Sequence, residues 1–371
     1  MTIQKNRVNE SSQNISDLRE SIDEIDEKIV ALINQRLENA IKIGEIKCKK
    51  GNQITDSSRE KAIMDRLLTL NQGPIHGKAL LHIFKDIISE SRKLQQPQKI
   101  TFLGPEATFT HMAAMDHFGH SSLYVPQPSI KDIFNDVEKG ASGYGVIPVE
   151  NSIEGAVNHT LDLFFESDLK ICAEIFLPIS HDLLSISGSI KNIKKVYSHP
   201  QALAQCRKWL EKYLPDTPLE ECGSTALAAQ KASADTKAAA IASSAAARLY
   251  SLEVVASKIQ DFTNNVTRFL VIGKDEIKKT GKDKTSIMLA AAHTPGALYK
   301  ILEPIAENRI NMLKLESRPA KYENWNYFFF IDIEGHIKDP LIEKTISRIK
   351  ELCFYLKCLG SYPMEYPETQ A

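Results

Sequence analysis

The sequence predicts a multidomain chain: an all-helical segment, then a segment of α/β layers, then a small α+β sandwich. Three observations predict it. The hydrophobic period changes twice, from helical steps, to short apolar runs alternating with helical stretches, to a βαββαβ order. Two apolar-poor stretches, 95–98 and 273–284, lie where the pattern changes. The 371 residues, 43% of them hydrophobic, suffice for two or three separate cores.

Residues 1–15 lack the apolar core of a signal peptide and read as a disordered leader. From 16 to 96 the pattern is helical. Leu18, Ile22, Ile25, Ile29, Leu32, Leu37, Ala40, Ile43 and Ile46 recur at steps of three to five, with Ser16 as the expected N-cap. So long a stripe cannot be buried within so small a segment, and a second copy of the chain is its simplest cover. Gly51-Asn52 and Gly73-Pro74 break the helix twice; Ser57 and Glu60 suit a capping box for the second helix, and a third runs from about 76 to 95. Residues 99–275 hold strand candidates at 100–103, 144–149, 171–176, 195–198 and 268–272, and the Ala-rich stretch 226–249 reads as closely packed helices. Residues 286–363 read strand, helix, strand, strand, helix, strand, with Thr294-Pro295 opening the first helix.

Composition excludes several classes. The 46 basic and 47 acidic residues are interleaved, so no basic stripe marks a nucleic-acid partner, and no long apolar segment marks a membrane span. The six cysteines form no CxxC pair, so neither a metal site nor a disulfide framework is indicated, and reduced, mostly buried thiols in a cytoplasmic protein are expected.

Candidate chemistry falls into three groups. In the helical segment, Arg36 and Lys47 lie within about 20° of each other on one face, whereas Arg19 is about 100° away. One helix cannot aim all three at one point, but a two-fold partner can supply Arg19 to its neighbour. Ser91 and Gln95 share a face of the third helix; Asp56, Arg59 and Glu60 begin the second. This set resembles the all-helical chorismate mutases. The resemblance implies an intertwined dimer of three-helix chains. Arg36 and the partner copy's Arg19 would grip carboxylates, Lys47 and Gln95 would donate to the ether oxygen, and Glu60 would bind the ring hydroxyl. Arg59 with Asp56 would order the site, and Ser91 would also bind substrate. A pericyclic rearrangement needs no proton donor or nucleophile, so positioning and charge stabilisation suffice.

In 99–275, polar clusters follow apolar runs: Glu150-Asn151-Ser152 leading into Ile153-Glu154-Gly155, Ser198-His199-Pro200-Gln201 with Gln205 beyond, Gly223-Ser224-Thr225, and Asn265-Val266-Thr267-Arg268-Phe269. The C-terminal ends of strands and the N-termini of helices in open α/β sheets are where carboxylates bind, a rule that does not cover Thr267 and Arg268, which open a strand. With Gly104-Pro105-Glu106-x-Thr108-Phe109, the ordered set resembles the prephenate dehydratases. That implies two α/β lobes, like those of periplasmic binding proteins, with the site between them. Thr267 would donate to the departing hydroxyl and Arg268 would bind a carboxylate. Glu150, Asn151, Ser198, His199, Gln205 and Thr225 would line the cleft.

In 286–363, Gly296-Ala297-Leu298-Tyr299 and Glu316-Ser317-Arg318-Pro319 resemble an ACT domain of the phenylalanine-responsive kind, although Tyr299 replaces the usual Val. The resemblance implies a ferredoxin-like fold and an effector site at Gly296, Ala297, Leu298, Glu316, Ser317 and Arg318. Together the three imply an isomerase and a lyase on one chain, taking chorismate through prephenate to phenylpyruvate under feedback by phenylalanine. No cofactor or metal is expected, and a homodimer or larger homo-oligomer is. Two other readings are a dehydratase preferring the aminated analogue arogenate and a non-catalytic amino-acid-binding regulator. Arg36, Lys47, Gln95 and Thr267 speak against the latter.

Overall fold

Three helices open the computed structural model, which describes residues 15–49, 57–291, 294–319 and 327–366. Helix α1 runs Ile15–Lys49, α2 Ser57–Leu70 and α3 Gly77–Gln95. Ser16 falls inside the first turn of α1 rather than capping it; Gly51, Asn52 and Asp56 lie outside the described residues. Gly44 is the buried residue of α1. A Cβ there would stand 2.7 Å from Cγ and 2.9 Å from Cβ of Gln95, so glycine permits the close approach of α1 to α3. The N-terminal half of the stripe is open to solvent, with Ile22 56% and Leu32 63% exposed in this single copy.

The middle segment folds as two lobes. In the first, β1 (Lys99–Leu103), α4 (Phe109–Phe118), β2 (Leu123–Gln127), α5 (Ile130–Glu138), β3 (Tyr144–Asn151), β4 (Gly155–Ala156), α6 (Asn158–Glu166) and β5 (Lys170–Pro178) are joined by β11 (Val266–Gly273). The sheet order is β2-β1-β3-β11-β5, with β4 on β3; β11 runs antiparallel to both its neighbours. The second lobe comprises β6 (Asp182–Ser185), β7 (Lys195–Ser198), α7 (Pro200–Gln205), α8 (Arg207–Tyr213), β8 (Leu219–Glu221), α9 (Thr225–Ala232), β9 (Ala238–Ala242), α10 (Ser244–Leu249) and β10 (Glu253–Ala256), in sheet order β10-β6-β9-β7-β8. The Ala-rich stretch is therefore not all helix: β9 is the fully buried central strand of this sheet. Ala is a strong helix former, but a strand of small side chains lets elements on both faces pack close, and tertiary packing overrides propensity.

The chain crosses between lobes twice, at 179–181 and 257–265. The crossings are tied by Ile259 N–H donating to the His181 carbonyl at 2.8 Å and Ile179 N–H to that of Asn265 at 2.8 Å.

The C-terminal segment has β12 (Asp283–Ala290), α11 (Ala297–Glu307), β13 (Met312–Pro319), β14 (Tyr327–Glu334), α12 (Pro340–Leu352) and β15 (Tyr355–Pro363), in sheet order β13-β14-β12-β15. Helix α11 begins after Gly296, whose φ of 76° makes it the N-cap, so Thr294-Pro295 precedes the helix. One face of the sheet packs on α11 and α12 through Ile287, Ile331 and Ile333. The other, through Met288, Phe330 and Tyr362, joins the core of the first lobe around α5 and α6. At Gly360 a Cβ would meet the Ile171 carbonyl oxygen at 2.4 Å, so β15 lies directly on β5. Although 273–284 is apolar-poor, the strands it joins share one core. Of the six thiols, Cys172, Cys206 and Cys222 are buried, Cys353 and Cys358 partly so, and Cys48 is exposed, so fewer are buried than the composition suggested.

Candidate functional sites

On the helical segment, the C-terminal half of α1 meets the C-terminal half of α3. Arg36 Nη1 donates to Ser91 Oγ at 2.6 Å, and the Ser91 hydroxyl donates to the Ile87 carbonyl at 2.7 Å. Burial lowers the Arg36 pKa below its ordinary value. Gln95, one turn beyond Ser91, packs on Gly44. Lys47 is half-buried on α1, Arg59 is exposed on α2, and Arg19 is exposed nearly five turns from Arg36. Glu60 departs from expectation: its carboxylate holds Arg92, with Nη2 at 3.1 Å from Oε2 and Nε at 3.0 Å from Oε1. Arg92 is one residue past Ser91, about 100° round the helix. Glu60 thus meets α3 through Arg92, on a flank of the Ser91–Gln95 face.

Between the lobes, strand pairing sets the geometry. Thr267 of β11 lies opposite Asn151 of β3, and Arg268 opposite Glu150. Successive strand residues face opposite sides of the sheet. The first pair faces the cleft: Asn151 Nδ2 donates to Thr267 Oγ1 at 2.8 Å and to Asn265 Oδ1 at 2.7 Å. Asn265 Nδ2 donates to Gln205 Oε1 at 2.9 Å, and Gln205 Nε2 to Glu154 Oε1 at 3.1 Å. Gln201 also donates to Glu154. This chain of side chains runs from the first lobe across to α7 and back. His199 caps α7, its Nδ1 accepting from the Gln201 N–H at 3.3 Å. Burial lowers its pKa, against the pull of Glu154 and Glu221, so it is neutral at pH 7. Thr225 is the buried first residue of α9. Ser198 is fully buried and donates its hydroxyl to the Ile241 carbonyl at 2.7 Å; its role here is to join β7 to β9 rather than to offer a donor to the cleft.

The second pair faces the C-terminal sheet, which corrects two expectations. Glu150 Oε2 accepts from Lys314 Nζ of β13 at 2.6 Å. Arg268 does not reach for a carboxylate in the cleft. It is buried, with Nε donating to Glu174 at 2.9 Å and Nη2 to Asp332 at 2.8 Å and to Tyr362 Oη at 3.1 Å. Lys284 Nζ also holds Glu174 at 2.9 Å, and Ser286 donates to Asp332 at 2.5 Å. Burial opposes the charges of Arg268 and Asp332. Even so, Tyr362, Asp332 and Glu174 keep the Arg268 pKa raised, and Arg268 keeps that of Asp332 lowered.

Of the expected effector residues, Gly296, Ala297 and Leu298 form the start of α11, and Glu316, Ser317 and Arg318 lie on the edge strand β13. Arg318 approaches Asp162 of α6 at 3.7 Å. Three cleft residues escaped selection as site residues: Asn265, Glu154 and His181, whose Nε2 lies 3.0 Å from Gln205 Oε1. For Asn265 a signal existed, since it stands two residues before Thr267, the period of one strand face.

Comparisons with known proteins agree with this organisation. A family model for Chorismate mutase type II matches residues 18–96, one for Prephenate dehydratase matches 100–277, and one for the ACT domain matches 285–351. The chain is 49% identical over 355 residues to the bifunctional chorismate mutase/prephenate dehydratase of Aquifex aeolicus (strain VF5), spanning 95% of this chain and 98% of that one. It is 42% identical over 352 residues to the protein of that description from Stutzerimonas stutzeri, spanning 93% and 96%. Among solved structures, the prephenate dehydratase of Arthrobacter aurescens in complex with L-Phe aligns with a TM-score of 0.68 at 32% identity, covering 74% of this chain and 93% of that one. With identity of this degree running through all three segments, the chain belongs to the family of bifunctional chorismate mutase/prephenate dehydratases.

Proposed function

We propose that the two reactions of this family run here at two separate sites, with roles divided among the residues described above. The observation that carries this reading is the pair of independent polar constellations, Arg36–Ser91–Gln95 on the helices and Thr267–Asn151 in the cleft. At the first, Arg36 and Lys47 meet the carboxylates and ether oxygen of chorismate, and Gln95 donates to that oxygen as charge builds on it. A pre-set cation and amide stabilise a transition state that needs no proton transfer. The exposed apolar stripe of α1 is covered by a second copy, which brings its Arg19 to this site. At the second, prephenate loses carbon dioxide, the released electron pair aromatises the ring, and hydroxide departs from the opposite carbon. Thr267 donates a hydrogen bond to the departing oxygen, and a proton from solvent, passed directly or through the Thr267 hydroxyl and then restored to it, turns the hydroxide into water. The product is phenylpyruvate. Asn151, His199, Gln205 and Thr225 line this site.

Gly44 gives a test of the first assignment. Gly44→Ala would raise helix propensity by about 1 kcal/mol while forcing Gln95 aside. Chorismate rearrangement is expected to fall by about 10²-fold, the cost of a misplacement near 1 Å, with prephenate dehydration unchanged; the clash with Gln95 costs about 1–3 kcal/mol, which offsets or exceeds the propensity gain, so the helical segment is not stabilised. Wild-type rearrangement by this variant would remove Gln95 from the site.

We further read the βαββαβ C-terminal segment as a ferredoxin-like ACT sensor, and phenylalanine as its ligand. Its carboxylate meets the N–H groups of Leu298 and Tyr299 in the first turn of α11, that of Ala297 being taken by the Thr294 carbonyl, and its ammonium meets Glu316 of a second copy. Because this sheet shares a core with the first lobe, removing the segment would strip that core, so a point variant is the cleaner probe. Glu316→Gln is expected to weaken phenylalanine binding about 10-fold or more, the loss of a charge-assisted hydrogen bond, and to shift inhibition of dehydration in parallel. Calorimetric titration showing wild-type affinity in this variant would move the effector site elsewhere.

A further inference from the structure

We propose that Asn265 is a positioning residue of the dehydration: acting through Asn151, it fixes the direction of the Thr267 hydroxyl. The proposal rests on the reading of Thr267 as the donor to the departing oxygen.

Every amide in the cleft chain has one orientation that satisfies its neighbours, and both ends of the chain demand the same one. At one end, Asn151 Oδ1 accepts from the backbone N–H groups of Ile153 at 3.0 Å and Glu154 at 3.2 Å. A carbonyl oxygen only accepts, so the Asn151 amide must turn its NH₂ toward Asn265 and Thr267. At the other end, the Glu154 carboxylate accepts from Gln201 at one oxygen and from Gln205 at the other, so Gln205 turns its NH₂ to Glu154 and its oxygen inward. That oxygen faces two nitrogens, Asn265 Nδ2 at 2.9 Å and His181 Nε2 at 3.0 Å. Burial lowers the His181 pKa, against the Gln205 hydrogen bond and Asp182, so the ring is neutral at pH 7 and donates from Nε2. Asn265 is left with one arrangement, oxygen toward Asn151 and NH₂ toward Gln205.

The consequence falls on Thr267. Asn151 has two N–H bonds on Nδ2; Asn265 takes one and Thr267 Oγ1 the other. A hydroxyl whose oxygen already accepts from Asn151 cannot give its proton to that nitrogen, so the proton stays available to the cleft. The accepted N–H also stabilises negative charge on Oγ1, which makes a poor acid a better donor. Asn265 is 2% exposed and sits on the second crossing between lobes, where it bonds to α7 of the second lobe through Gln205. It touches Asn151 and Gln205 but need not touch substrate.

The test compares Asn265→Leu and Asn265→Asp in the full chain, with Thr267→Ala alongside, reading kcat and KM for prephenate together with the thermal midpoint. Leu leaves one Asn151 N–H buried without its acceptor, so that the amide, held only at its oxygen, can turn off Thr267, and kcat is expected to fall about 10²-fold with KM within about 3-fold. Asp keeps that acceptor, and burial favours its protonated form, whose O–H takes the place of the donor to Gln205, so it is expected to recover most of the loss. A residue that merely packs would give the reverse order, since a buried carboxylate disturbs a core more than Leu does. In the double variant Thr267→Ala/Asn265→Leu, kcat is expected to be no lower than in Thr267→Ala alone. An Asn265→Leu chain with wild-type kcat, an Asp variant slower than the Leu variant, or multiplying losses in the double variant would each overturn the proposal. Wild-type kcat in Thr267→Ala would instead overturn the reading of Thr267 on which it rests.

Discussion

Thr267→Ala is expected to lower prephenate dehydration by about 10²–10⁴-fold, the usual contribution of a positioned proton donor, while chorismate rearrangement stays at its wild-type rate. Arg36→Ala is expected to do the opposite, losing about 10²–10³-fold in rearrangement, as when one pre-set donor to a developing charge is removed. The structural ground is that the two residues belong to different cores. Arg36 bonds to Ser91 across α1 and α3, and Thr267 to Asn151 across β11 and β3. Assays with chorismate and with prephenate, run on each variant, separate the outcomes. Equal loss of both activities in either folded variant would contradict two sites.

Arg268→Ala is expected to act on stability. Removing it leaves Glu174 and Asp332 buried with one fewer cation between them, and breaking a buried ion pair from one side costs about 3–5 kcal/mol. For a unit of this size that lowers the thermal midpoint by roughly 10 °C. The effect should centre on the first lobe and the C-terminal sheet, which Arg268 joins. Were Arg268 a ligand of the substrate, the variant would keep its midpoint and raise KM for prephenate; that outcome would contradict the buried assignment.

Arg268 also marks where the sequence stops being informative. Thr-Arg-Phe was legible as a motif, and Thr267 does lie in the cleft beside Asn151. Which neighbours share its face follows from strand alternation, and what the opposite face meets depends on contacts 64 residues away at Asp332 and 94 away at Tyr362. Local pattern carries no such information. Glu150 was misjudged for the same reason, its partner Lys314 lying 164 residues on. Elements with a clear period match the sequence pattern: the three N-terminal helices and the strand 195–198 fall where periodicity puts them, and the C-terminal segment keeps its βαββαβ order. The buried strand Ala238–Ala242 does not, because an alanine run shows neither alternation nor bulk and its strand form is imposed by the layers around it. Glu60 shows a further limit. Spacing gives a residue's angle on its own helix, but its pairing with Arg92 depends on how α2 lies against α3.

The central claim is that one chain carries two independent sites linked by prephenate as product of the first and substrate of the second. It is tested most directly by mixing the Arg36→Ala and Thr267→Ala chains and supplying chorismate. Alone, the first should form little phenylpyruvate and the second should accumulate prephenate. Together they should form phenylpyruvate steadily, because prephenate released by one chain is dehydrated by the other. A mixture that forms none, from chains each retaining its remaining activity, would contradict the account.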